Sequence, residues 1–101
     1  MFKKYRSIRL PYEKQGYIYF QCRNYSTLPP GQRQRIRRTC AAVADRYADA
    51  LFAFLTTDRT AVSVGLEHYV SESTLYRLRK AFYEAYAGLE AGMEERMRKN
   101  G

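Results

Sequence analysis

Residues 71–80, SESTLYRLRK, combine hydroxyl and basic side chains around an apolar pair. Ser71, Ser73 and Thr74 stand before Leu75 and Leu78, which are spaced as on one face of a helix. A hydroxyl residue in this position favours a helix N-terminus, because its oxygen accepts a backbone N–H of the first turn. The basic residues of the stretch then fall on the outer side of the helix. This pattern indicates a negatively charged partner.

The charge of the chain is concentrated in its first part. The chain has 101 residues, 46% hydrophobic content and a net charge of +8, as expected for one small domain that buries about two thirds of its unfolded surface. Residues 1–40 hold ten basic residues and one acid, residues 41–73 two and five, and residues 74–101 six and four. This imbalance favours a polyanionic partner, although a net charge also serves solubility.

The sequence offers little for catalysis, metal binding or membrane insertion. Cys22, Cys40 and His68 are too few for a zinc site, which needs about four ligands. We find no paired carboxylates, phosphate loop or nucleophile motif, so we expect no enzyme activity, no cofactor and no metal. No apolar run approaches the ~20 residues of a membrane span. We therefore expect a cytoplasmic protein with reduced, partly buried thiols.

The chain divides into a basic segment and one helical domain. Residues 1–11, ending at Pro11, are expected to form a flexible arm, and residues 12–101 the domain. Residues 12–27 fit a helix or a strand, with the helix favoured because no second strand is available for pairing. A long helix of about six to seven turns is predicted from Pro30. Its apolar stripe comprises Ile36, Cys40, Val43, Ala44, Tyr47, Leu51 and Phe54.

Residues 58–87 have the pattern of a helix-turn-helix. A short helix capped by Thr57 or Asp58 is predicted to run to His68, and a tight connection leads to a second helix capped by Ser71. Gly65 is expected where the backbones approach closely, since only a minimal side chain fits there. The second helix carries a stripe that extends towards the C-terminus, at Leu75, Leu78, Phe82, Ala85, Leu89, Met93 and Met97. The predicted fold is a small all-α bundle with a helix-turn-helix and a long C-terminal helix.

The stretch VSESTLYRLRKAF resembles the recognition-helix segment of sigma-factor region-4-like proteins and of ArpU- and RinA-type phage or mobile-element regulators. In those families a hydrophobic residue precedes Ser-x-Ser-Thr-hydrophobic-Tyr-Arg. The close similarity covers about a fifth of the chain, and a looser one covers residues 30–90. Two positions depart from the pattern. His68 stands where an apolar residue is usual, and Tyr69 stands where the turn usually has glycine, so Tyr69 would adopt the turn conformation at some cost.

The resemblance implies sequence-specific binding of double-stranded DNA by residues 71–80. Arg77 is then the candidate for a bidentate contact to guanine, and Glu72 and Ser73 for contacts to other base edges. Ser71 and Thr74 would meet phosphates at the helix N-terminus. Phosphate and sugar contacts that fix the register are expected from Tyr76 and Lys80.

Two further groups of basic residues are candidates for phosphate contacts. Arg33, Arg35, Arg37 and Arg38 lie in the first turns of the long helix, where cations oppose the helix dipole. We expect them beside the recognition helix, with a solvated charged face as the alternative. Lys3, Lys4, Arg6 and Arg9 are candidates for an arm that reaches a groove.

The last helix provides a candidate surface for self-association. Phe82, Tyr86, Leu89, Met93 and Met97 fit a homodimer seam, or alternatively a stripe that packs on residues 12–27. Two other classes of function remain open beside a DNA-binding regulator. One is an assembly or adaptor module resembling a terminase small subunit, and the other is a sigma-like module that contacts RNA polymerase.

Overall fold

The computed structural model describes the backbone of residues 2–100 and the side chains of residues 2–93. Within these limits all the regular secondary structure is helical and there is no strand, which confirms the predicted all-α class. Short 3-10 turns at Tyr25–Thr27 and Asp45–Tyr47 join some of the helices. The five α-helices are α1 (Tyr12–Arg23), α2 (Pro30–Ala44), α3 (Ala48–Thr56), α4 (Ala61–His68) and α5 (Glu72–Asn100). Met97, a member of the predicted stripe, lies beyond the described side chains.

Helix α5 is the element on which the other helices pack. Its 29 residues extend about 44 Å at 1.5 Å per residue, and α1, α2, α3 and α4 all contact it. Phe82 and Tyr86 of α5 are fully buried and stack with their ring centroids 5.3 Å apart. They lie in one core cluster with Ile18 of α1 and Ile36 of α2. The other four helices therefore pack against the same central helix.

Helix α1 resolves the ambiguity of residues 12–27 in favour of a helix. Ile18 and Cys22 point into the core, at 0% and 1% exposure. The buried Tyr86 hydroxyl donates a hydrogen bond to Oε1 of Gln21 at 2.7 Å. Burial raises the pKa of Tyr86 to about 12, so the hydroxyl keeps the proton that this hydrogen bond needs.

The N-terminal segment packs against the bundle, which differs from the flexible arm expected for residues 1–11. Phe2 and Ile8 are 6% and 2% exposed. Gln15, fully buried on α1, accepts a hydrogen bond from the Tyr5 backbone N–H at 2.9 Å, and its Nε2 lies 3.0 Å from the Leu10 carbonyl oxygen. These bonds satisfy backbone groups of a segment without regular structure, as buried polar groups require.

The predicted helix from Pro30 is interrupted, so the prediction of six to seven continuous turns is wrong. Helix α2 ends at Ala44, and Asp45 has φ 49° and ψ −115°, which lies outside both helical regions of the backbone. The chain then makes a 3-10 turn and continues as α3. Cys40 of α2 and Leu51 of α3, on the two sides of this break, both reach the core cluster. Neither Gly nor Pro occurs at the break, so the sequence has no helix-breaking residue that would predict it.

A tight turn joins α4 to α5. Thr60 caps α4, since its hydroxyl accepts from the Ser63 N–H at 3.1 Å, and this corrects the predicted cap at Thr57 or Asp58. Tyr69 adopts the left-handed conformation, with φ 57° and ψ 48°. The N–H groups of Tyr69 and Val70 both donate to the carbonyl oxygen of Gly65. The connection between α4 and α5 is thus hydrogen-bonded to the C-terminal end of α4.

Gly65 leaves the space that this turn needs. A Cβ built on Gly65 would lie 2.3 Å from the carbonyl oxygen of Val70. The close approach expected at Gly65 is therefore real, and it is made to the backbone of the turn. Beneath it, Val64, Val70 and Leu75 form a second buried cluster that holds the start of α5 in place.

Replacement of Gly65 by alanine is expected to destabilise the protein, because backbone rather than a flexible side chain must move. We expect a loss of about 1–3 kcal/mol in the free energy of unfolding, the usual range for overpacking, measured by urea denaturation. Gly88→Ala is the matched control. Gly88 lies in α5 with nothing within 4 Å of an added Cβ, so alanine should stabilise the helix by about 1 kcal/mol. Equal effects of the two variants would contradict this account of the turn.

The two thiols are expected to be inert in the folded protein. Cys22 and Cys40 are free and 1% exposed, and burial raises the pKa of Cys40 to about 12. At pH 8 only about one Cys40 in ten thousand is then a thiolate. We expect iodoacetamide to label the native protein far more slowly than the protein unfolded in guanidinium. Labelling at the same rate in both states would overturn the assignment of these cysteines to the core.

Candidate nucleic-acid interface

The N-terminus of α5 is capped as the sequence predicts. The Ser71 hydroxyl oxygen accepts the Thr74 N–H at 3.2 Å. The same hydroxyl donates to the Thr74 hydroxyl at 2.8 Å and lies 3.3 Å from that of Ser73. The cap therefore fixes the first turn of α5. It also joins the hydroxyls of Ser71 and Thr74, the two residues predicted to meet phosphates.

The first three turns of α5 have one buried and one exposed side. Leu75 and Leu78 are buried, at 0% and 7% exposure. We name the opposite side the α5 face. Glu72, Ser73, Tyr76 and Arg77 of this face are exposed, and Lys80 is half-buried. The arrangement is the one predicted, with polar groups directed away from the bundle over about 12 Å of helix.

Arg77 and Tyr76 differ in how they are held. Arg77 makes no hydrogen bond or ion pair with any other residue whose side chain the structure describes. Tyr76 is 46% exposed, and its ring centroid lies 5.9 Å from that of Phe54 on α3. The guanidinium of Arg77 is thus free for a ligand, whereas Tyr76 is partly fixed by packing.

The N-terminal segment lies next to the α5 face. The guanidinium of Arg79 stacks on the Tyr5 ring, 3.7 Å from its centroid, and lies 5.1 Å from the centroid of Tyr76. The basic residues around Tyr5 are exposed, and they are Lys3, Lys4, Arg6 and Arg9. The structure thereby brings the charge of residues 2–10 close to the start of α5.

The arginines of α2 lie elsewhere, so the prediction that they flank the recognition helix is wrong for Arg35. Its Nη1 lies 3.7 Å from Sδ of Met93. Met93 is sixteen residues after Arg77 on the same helix, or about 24 Å along its axis. Arg37 lies over the ring of Phe52, 3.8 Å from the centroid. Arg33 lies close to Pro30 and Gly31.

The predicted seam on α5 is also only partly exposed. Phe82 and Tyr86 are buried in the core, and Tyr86 is hydrogen-bonded to Gln21 of α1. This agrees with the alternative prediction, in which the stripe packs on residues 12–27. Leu89 and Met93 remain 45% and 37% exposed. They line a groove of about 510 Å³ together with Arg35, Arg38, Thr39, Ala42 and Ala85.

Sequence reasoning missed a cleft that adjoins the α5 face, which we name the arginine cleft. Its volume is about 140 Å³. Three arginines and several aromatic rings line it, namely Tyr5, Tyr19, Arg23, Phe54, Leu55, Arg59, Arg79 and Tyr83. The lining residues come from segments far apart in the chain, so no local motif marks the cleft.

An apolar patch lies on α4 and the turn, where Val62 and Leu66 line a groove with Ser71. Val62, Leu66 and Tyr69 are 49%, 76% and 92% exposed, and we name them the α4 patch. His68 contacts Glu67, with Nε2 and Oε1 3.4 Å apart. The hydrogen bond from Arg59 and its charge hold the pKa of Glu67 below its usual value.

Neither a metal centre nor a membrane span is present in the part of the chain that the structure describes. No group of three or more His, Cys, Asp or Glu residues is placed there to hold a metal ion. None of its helices has the length and apolar character of a transmembrane segment.

Comparison with known proteins returns no match, whether to protein-family models, to curated proteins or to solved structures.

Proposed function

We propose that the protein binds double-stranded DNA in a sequence-dependent way, with the α5 face in the major groove. The observation that carries the proposal is the free guanidinium of Arg77 on the exposed side of a capped helix N-terminus. A groove about 12 Å wide admits one α-helix, and a bidentate arginine is its commonest specific contact, to O6 and N7 of guanine. Residues 70–82 resemble the recognition-helix segment of phage and mobile-element regulators. The role would therefore be transcription regulation in a phage or mobile element.

The other residues near α5 divide into two kinds of contact. Glu72 and Ser73 precede Arg77 on the α5 face and would meet neighbouring base edges. Tyr76 and Lys80, at the edge of the face, would meet sugar and phosphate groups that fix the register. The exposed basic residues of 2–10 supply sequence-independent affinity and salt dependence. Residues 33–38 are left out of this contact set, because Arg35 packs at the far end of α5.

The first test is the loss of discrimination in Arg77→Ala. A cognate duplex is selected from a random pool, and its affinity is compared with that of a scrambled duplex by fluorescence anisotropy. Loss of a bidentate base contact should cost about 1–3 kcal/mol of discrimination and weaken scrambled-duplex binding only modestly.

Arg38→Ala is the matched control for that test. Arg38 is an exposed arginine that lines the groove beside Leu89 and Met93. Its replacement should leave discrimination intact. A variant of Arg77 that discriminates as well as the unmodified protein would refute the assigned role of the α5 face.

A second candidate function is an assembly or adaptor module, and the α4 patch favours it. Tyr69 and Leu66 expose large apolar surface beside the turn, as residues of protein interfaces do. A partner there would be a packaging complex or RNA polymerase. Negligible affinity for every duplex at low salt would support this second function over DNA recognition.

A further inference from the structure

The arginine cleft holds more positive charge than its carboxylates neutralise. Arg23 pairs with Asp58, and Arg59 pairs with Glu67 at 2.7 Å. For Arg79, no carboxylate of the described residues lies within the 4.0 Å of an ion pair. Three guanidinium groups therefore face two carboxylates, and the excess charge belongs to Arg79.

Arg79 is also held in an orientation that suits anion binding. Its guanidinium lies 3.7 Å from the ring centroid of Tyr5 and 5.1 Å from those of Phe54 and Tyr76. Stacking on aromatic faces occupies the flat side of a guanidinium and leaves the N–H donors at its edge available. Arg79 makes no hydrogen bond to any residue in the described part of the chain, so these donors face the cleft or solvent. Its side chain is thus ordered before any ligand binds, which lowers the entropic cost of binding.

Tyr83 adds a neutral donor to the same cleft. The residue is only 2% exposed and lines the cleft. Its hydroxyl makes no hydrogen bond to another described residue, and the oxygen is open to the cleft rather than enclosed. Burial raises the pKa of Tyr83 above its usual value. The hydroxyl therefore stays protonated at neutral pH and can donate a hydrogen bond.

The cleft has room for a small anion. Its volume is about 140 Å³, and a phosphate group has only five non-hydrogen atoms. Phosphate oxygens match the N–H fork of arginine and can accept two parallel hydrogen bonds from it.

We propose that the arginine cleft binds a phosphate group, with Arg79 and Tyr83 donating hydrogen bonds and Arg23 and Arg59 adding charge. Asp58 and Glu67, the ion-pair partners of Arg23 and Arg59, have side chains that are 95% and 57% exposed. They can turn to solvent when the phosphate binds. The phosphate comes from one of two sources, the backbone of a bound duplex or a small phosphorylated molecule.

The test is a titration of the whole, DNA-free protein with sodium phosphate at constant ionic strength. The Nε–Hε resonances of the arginines are followed by NMR, and sodium chloride serves as the reference salt. We expect saturable shifts at Arg23, Arg59 and Arg79 and none at Arg38. Shifts that do not saturate, or that chloride reproduces, would overturn the proposal.

Variants distinguish phosphate binding in the cleft from nonspecific attraction to surface charge. Arg79→Gln should weaken phosphate binding at least about tenfold, as expected for the loss of a charge-assisted hydrogen bond. Arg38→Gln should leave it unchanged. If Arg79→Gln does not fold, Arg59→Gln is used instead, because its side chain is 33% exposed and less embedded among rings. Unchanged phosphate affinity in the folded cleft variant would refute the site.

Duplex binding identifies the source of the phosphate. If the source is the DNA backbone, Arg79→Gln should lower the slope of log affinity against log salt by about 1, and free phosphate should compete with the duplex. If duplex binding is unaffected, the site belongs to a small phosphorylated molecule. Phosphate binding by a protein that binds no duplex would overturn the proposed function alone, whereas duplex binding without a saturable phosphate site would overturn this inference alone.

Discussion

The approach of α4 to the carbonyl oxygen of Val70 is the contact on which the arrangement depends. It requires glycine at position 65, because a Cβ there would lie 2.3 Å from that oxygen. It also requires Tyr69 in the left-handed conformation, which costs a non-glycine residue about 1–2 kcal/mol. The buried cluster of Val64, Val70 and Leu75 offsets this cost. The turn therefore holds the start of α5 at a fixed angle to α4.

This fixed angle determines which side chains the protein presents. Leu75 and Leu78 face the bundle, so Arg77 must face solvent on the same three turns of helix. Residues 2–10 pack beside these turns through Tyr5 and Arg79. Recognition groups, basic charge and the arginine cleft consequently occupy one end of the molecule. The other end of α5, around Leu89 and Met93, lines a groove to which Arg35 and Arg38 also contribute.

The sequence predicts the features of this fold that arise from local interactions. The all-helical class, the start of α2 at Pro30, the Ser71 cap and the small residue at position 65 follow from spacing and residue type. The break at Asp45 has no such signal, because the apolar stripe continues through it. The predicted position of Arg35 is wrong, and the place of Arg79 in a cleft is not predicted, for another reason. Their neighbours, Met93 and Tyr5, are more than fifty residues away in the chain, and single-sequence patterns do not contain such contacts.

The most direct test of the central claim is a map of amide chemical-shift changes on addition of a selected duplex. If the α5 face enters the major groove, the largest changes fall at residues 71–80, with smaller ones at residues 2–10. Residues 85–93 should be almost unaffected, because they lie along α5 away from that face. Changes centred on residues 85–93 or on the α4 patch, with none at residues 71–80, would contradict the account.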